Sequence, residues 1–293
     1  MTASNRSAAL GIAIASSSAL AYGLITTFAR IVYDHGGNAW AVNVSRFFVG
    51  FIVIGLFMLV TRRSFALPRS AWPAVVALAI ALAAMTLGYV TSVAFIPVGL
   101  AALLFYTYPL MVAAIAPRLE GRPLGRAMQA TFLLAFLGLG LAIGPSFQQL
   151  DWRGIALALA GAAGATGIFL ASRKLVQSTP VLTAAFYSNL IGAGLLLAAM
   201  TAFGELLLPR ASSGWWALAA AGGFYILAVA TQLLALRFLE AARAAVIFNL
   251  EPLVSIAFAA LLLGERLTLL QSLGVLLTIA ALLAAARLGS RQT

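Results

Sequence analysis

Long apolar stretches separated by short polar segments occupy most of the chain. Reading these stretches between charged residues, prolines and glycines predicts helices near residues 9–29, 38–60, 71–95, 98–116 and 128–145. The same reading predicts five more helices near residues 154–172, 181–203, 213–236, 242–263 and 268–287. Each stretch has close to the length of about 20 residues that spans roughly 30 Å of hydrocarbon. The pattern therefore predicts an all-α integral membrane protein with ten transmembrane helices.

The two groups of five predicted helices match each other in sequence. At a constant offset of 143 residues, the following pairs are identical: Gly11 and Gly154, Arg30 and Arg173, Ser45 and Ser188, Trp72 and Trp215, Phe95 and Phe238, Pro109 and Pro252. This match indicates a duplicated five-helix unit, which we place at residues 1–148 and 149–293. Because five is odd, the second unit must enter the membrane from the opposite face, which predicts two inverted repeats.

Composition and charge agree with a membrane location. The chain is 63% hydrophobic and 9% charged, which is incompatible with a soluble surface. Its 18 basic residues, against 7 acidic ones, are scattered between apolar runs without forming a basic face, so nucleic acid is not an expected partner. If the N-terminus is cytoplasmic, thirteen basic residues fall on the cytoplasmic side and four on the opposite side. The asymmetry predicts that both termini are cytoplasmic.

Two charged residues fall within predicted membrane helices. Glu251 lies near the middle of the ninth helix, where an ionised carboxylate costs about 3 kcal/mol on insertion scales. It either binds a substrate amine or carries a proton, or else it forms a structural ion pair or hydrogen bond. Arg46 lies near one end of the second helix, on one face with Asn43. Its side chain either reaches the membrane surface or enters a central cavity, where it would meet a substrate carboxylate or Glu251.

Prolines stand at equivalent positions of the two halves. Pro109 in the fourth helix and Pro252 in the ninth each remove a helical hydrogen bond, which frees the carbonyls of Phe105 and Phe248 and predicts two matched kinks. Matched kinks in inverted repeats are typical of a substrate site at the membrane midplane, although membrane helices also tolerate proline without a role. We predict that both prolines serve in kinking and gating.

Uncharged polar residues at membrane depth extend the candidate site. Tyr106 and Tyr108 flank the first kink, Asn249 stands beside the second, and Tyr89 lies in the third helix. The predicted substrate-binding residues are Tyr106, Tyr108, Asn249, Glu251, Tyr89, Arg46 and Asn43. An aromatic cavity of this kind suits aromatic or bulky apolar substrates. Tyrosines near helix ends usually anchor at the membrane interface, and that role is assigned to Tyr187 and Tyr225.

No sequence pattern indicates catalysis, and none indicates a cofactor or metal. The chain has no HExxH sequence, no Ser/His/Asp set, no pair of intramembrane carboxylates, no Walker sequence and no cysteine. Two glycine-rich stretches, at residues 138–144 and 161–167, are not preceded by strands and indicate close helix packing rather than a nucleotide loop. We therefore expect neither an enzyme nor a bound cofactor.

The repeat and its motifs resemble a known family. Glu251-Pro252-Leu253, and the later Gly264-Glu265-Arg266-Leu267-Thr268, are similar to the EamA-type family of the drug/metabolite transporter superfamily. The first half departs from the pattern, with Tyr108-Pro109-Leu110 lacking the glutamate and Leu119-Glu120-Gly121-Arg122 replacing the usual Gly-Glu-Arg order. The resemblance covers essentially the whole chain and implies ten helices around a central cavity.

The resemblance also implies a function. It implies export of amino acids, metabolites or drugs by alternating access across a bacterial cell inner membrane. Bacterial amino-acid exporters, including those for aromatic amino acids, are similar in length and organisation, so an aromatic or bulky neutral amino acid is the expected substrate. The alternatives are a proton-coupled multidrug or cation efflux transporter and a membrane-embedded enzyme or lipid-binding scaffold. The expected partners are the small-molecule substrate and the lipid bilayer, and we expect a monomer.

Overall fold

Helices form nearly all of the regular structure in the computed structural model, which describes residues 3–121, 124–144, 150–263 and 267–290. The first half contains α1 (Ala3–Asp34), α2 (Ala39–Val60), α3 (Trp72–Ser92), α4 (Val98–Phe105), α5 (Tyr108–Glu120) and α6 (Arg126–Ile143). The second half contains α7 (Trp152–Ser178), α8 (Val181–Phe203), α9 (Ser212–Phe238), α10 (Ala241–Ile247), α11 (Leu250–Leu263) and α12 (Leu269–Ser290). Within these ranges there is no β-strand. Arg122 and the Gly264-Glu265-Arg266 motif lie outside the described residues.

The helices have the length and composition of membrane spans. Across the described ranges, nine stretches are long and apolar enough to cross a membrane, when α4 with α5 and α10 with α11 are each counted as one. The apolar part of α12, Leu269–Ala285, is shorter than these nine. The prediction of an all-helical protein with membrane-length apolar helices is therefore confirmed.

Two helices are longer than their apolar runs. Helix α1 ends at Asp34 rather than near residue 29, and α7 continues to Ser178 rather than ending near residue 172. The extra turns carry polar residues such as Arg30 and Arg173. Hydropathy marks only the part of a helix that suits hydrocarbon, whereas backbone hydrogen bonding continues into the polar flanks.

The predicted kinks appear as short breaks in two helices. Helix α4 ends at Phe105 and α5 begins at Tyr108, so that Pro109 stands in the first turn of α5, where its missing N–H costs no hydrogen bond. Helix α10 likewise ends at Ile247, and α11 begins at Leu250. The carbonyl of Phe248 is not left free, because it accepts a hydrogen bond from the backbone nitrogen of Glu251 at 3.0 Å. The breaks therefore tighten the backbone locally.

Glycines let several helices approach backbone to backbone. A Cβ atom added to Gly88 on α3 would lie 2.6 Å from the backbone nitrogen of Gly161 on α7, and one on Gly164 would lie 2.5 Å from that of Met85. Helices α6 and α12 meet in the same way, through Gly138 and Gly274. Small residues drive helix association in membranes because they permit this contact. The glycine-rich stretches thus serve helix packing.

The bundle has two ends, which we name after their loops. At the α1–α2 end, Asn38 donates hydrogen bonds to the carbonyls of Leu207 and Glu205, and the backbone nitrogen of Arg210 bonds the carbonyl of His35. These contacts join the α1–α2 loop to the α8–α9 loop. The opposite end, which we call the α5–α6 end, contains the end of α5 and the α9–α10 junction. Each end therefore contains segments of both halves.

The close α3–α7 contact makes a stability prediction. Gly164→Ala should lower the thermal unfolding midpoint of the purified protein in detergent, because the added methyl group overpacks a backbone contact, typically at a cost of about 1–3 kcal/mol. Gly194→Ala on α8 is the matched control, since nothing lies within 4 Å of its Cβ position. This control should leave the midpoint unchanged or raise it, because alanine is the better helix former. Equal midpoints for the two variants would contradict the packing described here.

Candidate functional site

A cavity of about 200 Å³ lies between the two halves, beside both helix breaks. Its walls come from α1, α2, α3, α7 and α9 together with the segments around the breaks. Tyr33, Asn43 and Val90 line it toward the α1–α2 end. In the other direction the lining extends no further than Tyr22 and Gln232. The cavity therefore runs from the middle of the bundle toward the α1–α2 end.

Aromatic rings follow one another around the cavity. Neighbouring ring centroids are 4.9 to 6.4 Å apart along the series Tyr89, Phe105, Tyr108, Phe169, Phe248, Tyr22, Tyr225 and Phe47. Rings at these separations pack in favourable tilted, stacked or edge-to-face arrangements. Five of the eight rings come from the first half of the chain and three come from the second. The wall is thus apolar on its faces, with several phenol hydroxyls available for hydrogen bonding.

Glu251 brings a carboxylate to this cavity. It stands in the first turn of α11, and the break at Phe248–Asn249 sets its position on the cavity wall. The hydroxyl of Tyr106, from the equivalent break of the first half, lies beside its carboxyl group. The two helix breaks therefore place a carboxylic acid and a phenol side by side between the halves. Such a pair can bind an ammonium group or hold a proton.

Arg46 brings a guanidinium to the same cavity. Its Nη2 donates a hydrogen bond to the side-chain oxygen of Asn43, and its Cζ lies 5.2 Å from the centroid of the Tyr225 ring. The Nε atom is buried and has no hydrogen-bond partner. No carboxylate of the described residues lies within ion-pair distance of Arg46. The arrangement leaves a positive group with unused donor capacity in the cavity wall.

Other polar groups complete the lining. The hydroxyl of Tyr22 donates to the side-chain oxygen of Gln232 at 2.9 Å, which joins α1 to α9. The hydroxyl of Thr86 on α3 is buried without a hydrogen-bond partner. Buried polar atoms are normally paired, so this hydroxyl and the Nε of Arg46 have bonding capacity left for a ligand or for water. In the described part of the chain, no group of three or more His, Asp or Glu residues could hold a metal ion.

The structure brings together six of the seven predicted substrate-binding residues. Those that line the cavity are Tyr106, Tyr108, Glu251, Tyr89, Arg46 and Asn43. Asn249 does not line it: its side chain is buried, and its amide donates to the carbonyl of Val246 at 3.1 Å. Arg46 faces the cavity rather than the membrane surface.

The prediction for Tyr225 was wrong. Tyr225 does not lie at the membrane interface: it is in the cavity wall, 3% exposed, and donates a hydrogen bond to Asn189. Tyr22 and Gln232 also line the cavity, although they are not among the seven predicted substrate-binding residues. Their spacing of 210 residues carries no local signal. Tyr22 and Gln232 can be paired only when it is known that α1 packs against α9.

The α5–α6 end of the cavity is closed by polar contacts between the halves. Glu120, at the end of α5, accepts a hydrogen bond from the backbone nitrogen of Ala241 at 3.3 Å and lies 3.8 Å from the Nε of Arg173. Arg173 also donates to the carbonyl of Leu236. Helix α5 packs against α10 here, whereas α4 and α11, their equivalents at the offset of 143, make no comparable contact. The two ends of the cavity therefore differ.

Comparison with known proteins agrees with this architecture. The sequence profile of the EamA-like transporter family matches residues 9–144 and again residues 152–287. A solved structure titled only "Crystal structure of protein" aligns with a TM-score of 0.84 and 19% identity, covering 96% of this chain and 98% of that chain. At that identity the likeness shows a shared fold. No curated protein matches the sequence.

The family match covers both halves of the chain in turn, and it leaves out little more than the termini and the segment between α6 and α7. Members of this family are transporters, within the drug/metabolite transporter superfamily, and not enzymes. The two matches, one in each half, also agree with an all-helical bundle in which both halves line the cavity. The chain therefore belongs to the EamA-like transporter family.

Proposed function

We propose that the protein exports amino acids with aromatic or bulky neutral side chains, by alternating access. The observation that carries this proposal is the cavity: it lies between the halves, it contains a carboxylate and a guanidinium, and it extends toward one end of the bundle only. Membership of a transporter family supports movement of a solute rather than its conversion.

The chemistry of the cavity wall supports a zwitterionic substrate. Glu251 and Tyr106 suit an ammonium group, because a carboxylate accepts charge-assisted hydrogen bonds. Arg46 suits a carboxylate, with which a guanidinium forms two parallel hydrogen bonds. The rings between these groups offer flat apolar surfaces for a large side chain. An amino acid with an aromatic side chain carries all three features on one small molecule.

The contacts between helices support an inverted repeat of ten transmembrane helices, with units at residues 1–148 and 149–293. A Cβ atom on Gly11 would lie 2.8 Å from the Cβ of Phe238, and one on Gly154 would lie 2.9 Å from that of Phe95. These two contacts exchange the halves, since Gly11 matches Gly154 and Phe95 matches Phe238. The α1–α9 and α3–α7 packings are related in the same way.

The unequal ends support a rocking movement of the halves. The contact between α5 and α10 closes one end here, and the equivalent contact between α4 and α11 would close the other end after rocking. The distribution of basic residues supports a cytoplasmic location for the α5–α6 end and both termini. On this proposal the structure is open toward the periplasm, in a bacterial inner membrane, and Pro109 and Pro252 mark the segments that gate. We propose that it acts as a monomer without a cofactor.

One observation favours a second candidate, proton-coupled efflux of cations. Glu251 is the acidic residue among the cavity-lining residues, and aromatic faces attract cations. Arg46 weighs against this candidate, because a fixed positive charge in the same cavity repels a cation that lacks a carboxylate. The amino-acid proposal uses both charged residues, and the efflux proposal uses one.

Transport by the purified protein in liposomes tests the proposal. We expect saturable uptake of radiolabelled phenylalanine that unlabelled tryptophan inhibits. Glu251→Gln should lower this uptake by about tenfold or more, since a charge-assisted hydrogen bond contributes roughly 1.5–3 kcal/mol. Glu205→Gln, in the exposed α8–α9 loop, is the matched control and should keep full activity.

An imposed pH gradient separates the two candidates. Phenylalanine uptake that persists when the gradient is collapsed supports facilitated movement of the amino acid. Uptake of a lipophilic cation that requires the gradient, together with no uptake of any amino acid tested, would replace the amino-acid proposal with proton-coupled efflux.

Closure at the α5–α6 end makes a separate prediction. The chain has no cysteine, so a single introduced thiol reports local access to water. Ala242 is 2% exposed beside the Glu120 contact, and Ala242→Cys should react slowly with a water-soluble thiol reagent. Adding Glu120→Gln should speed the reaction several-fold by weakening the closure, whereas adding Glu205→Gln should not. Equal rates in all three proteins would show that Glu120 does not hold this end shut.

A further inference from the structure

Tyr225 is held in one orientation by its neighbours. Its hydroxyl donates a hydrogen bond to the side-chain oxygen of Asn189 at 2.8 Å. Its ring centroid lies 5.6 Å from that of Phe47 and 6.4 Å from that of Tyr22. The ring is therefore fixed at its hydroxyl end by one hydrogen bond and along its sides by two other rings. One of its faces is left for the guanidinium of Arg46.

Asn189 is itself fully fixed. It is completely buried, and its amide nitrogen donates to the carbonyl of Ala185 at 2.8 Å, which turns its side-chain oxygen toward Tyr225. Gly50 on α2 makes room for this pair: a Cβ atom there would lie 2.8 Å from the side-chain oxygen of Asn189 and 3.2 Å from the Tyr225 ring. A buried amide with both of its ends engaged is a rigid support.

The supported residue is the arginine of the cavity. The guanidinium of Arg46 rests on the Tyr225 ring and donates to Asn43, while its buried Nε has no partner. Arginine is suited to this role because its planar donors bind a carboxylate in a fixed direction, and a stacked ring keeps that plane in place. Arg46 and Asn189 are also equivalent positions at the offset of 143, so the duplicated position supplies the arginine in one half and its support in the other.

We propose that Asn189 and Tyr225 are positioning residues that hold Arg46 ready for the carboxylate of the substrate, so that selection for carboxylate-bearing substrates depends on this pair. This inference rests on the proposed transport of amino acids and adds the origin of carboxylate selectivity. Tyr225 and Asn189 act through Arg46, and the binding contact belongs to Arg46.

The test compares phenylalanine with phenylalaninamide, which keeps the ammonium and the ring but lacks the carboxylate. In proteoliposomes, Tyr225→Phe and Asn189→Leu should each raise the KM for phenylalanine about fivefold, the size expected for one lost hydrogen bond, and leave the KM for phenylalaninamide unchanged. The double variant should be no worse than either single variant, because both remove the same interaction. Arg46→Lys should not keep the preference for phenylalanine over phenylalaninamide, since an ammonium lacks the planar fork of donors that a guanidinium has.

A matched control comes from the same helix as Asn189. Tyr187 on α8 donates its hydroxyl to the carbonyl of Phe65 at 3.1 Å and does not line the cavity. Tyr187→Phe therefore removes a comparable hydrogen bond without touching Arg46, and both KM values should stay at the wild-type level. The thermal unfolding midpoint of each variant shows whether the substitution has destabilised the fold. A merely structural role would alter the KM values for phenylalanine and phenylalaninamide together.

A binding measurement separates this inference from the proposed function. The carboxylate 3-phenylpropionate should raise the unfolding midpoint of the wild-type protein, and phenethylamine should raise it less. Arg46→Gln should abolish the effect of the carboxylate, and Tyr225→Phe and Asn189→Leu should each reduce it. Such binding without phenylalanine transport would overturn the function and keep the inference. Phenylalanine transport with equal KM changes for both substrates in Tyr225→Phe and Asn189→Leu would overturn the inference and keep the function.

Discussion

Charged side chains at membrane depth need polar partners, because hydrocarbon supplies none and the cost of leaving them bare is several kcal/mol. Arg46 and Glu251 both impose this constraint. The chain meets it by directing both side chains into one cavity between the halves, where Asn43, Tyr225 and Tyr106 surround them. The polar groups inside the bundle therefore cluster around Arg46 and Glu251, in the cavity between the halves.

Close packing elsewhere keeps the cavity in one place. Helices α3 and α7 meet backbone to backbone through Gly88, Gly161 and Gly164, and α6 meets α12 in the same way. Contacts this close exclude water and leave little freedom for the helices to separate. The space between the halves therefore survives where bulky aromatic side chains, rather than glycines, meet at the helix breaks.

The helix breaks connect this packing to function. At each break, a few residues of tighter backbone separate two helices and bring a polar side chain to the cavity. This side chain is Tyr106 in the first half and Glu251 in the second. A continuous helix would hide such a group against its neighbours or present it to lipid. The same segments carry the contacts that differ between the two ends, since α5 packs on α10 without a comparable contact of α4 on α11. On the proposed function, substrate contact and closure therefore depend on the same helix breaks.

The class of protein, the membrane-length helices, the repeat and the positions of Glu251 and the two prolines can all be predicted from the sequence. These are local properties: hydropathy, a constant offset and the missing N–H of proline can all be read along the chain. The same local evidence wrongly predicted that Asn249 lines the cavity. Asn249 is only two residues from Glu251, but its side chain donates a hydrogen bond to the carbonyl of Val246. Tertiary structure alone decided that Tyr225, Asn189 and Arg46 meet. Successive side chains of an α-helix point about 100° apart. Which of them face the cavity therefore depends on how helices that are distant in the sequence pack against each other.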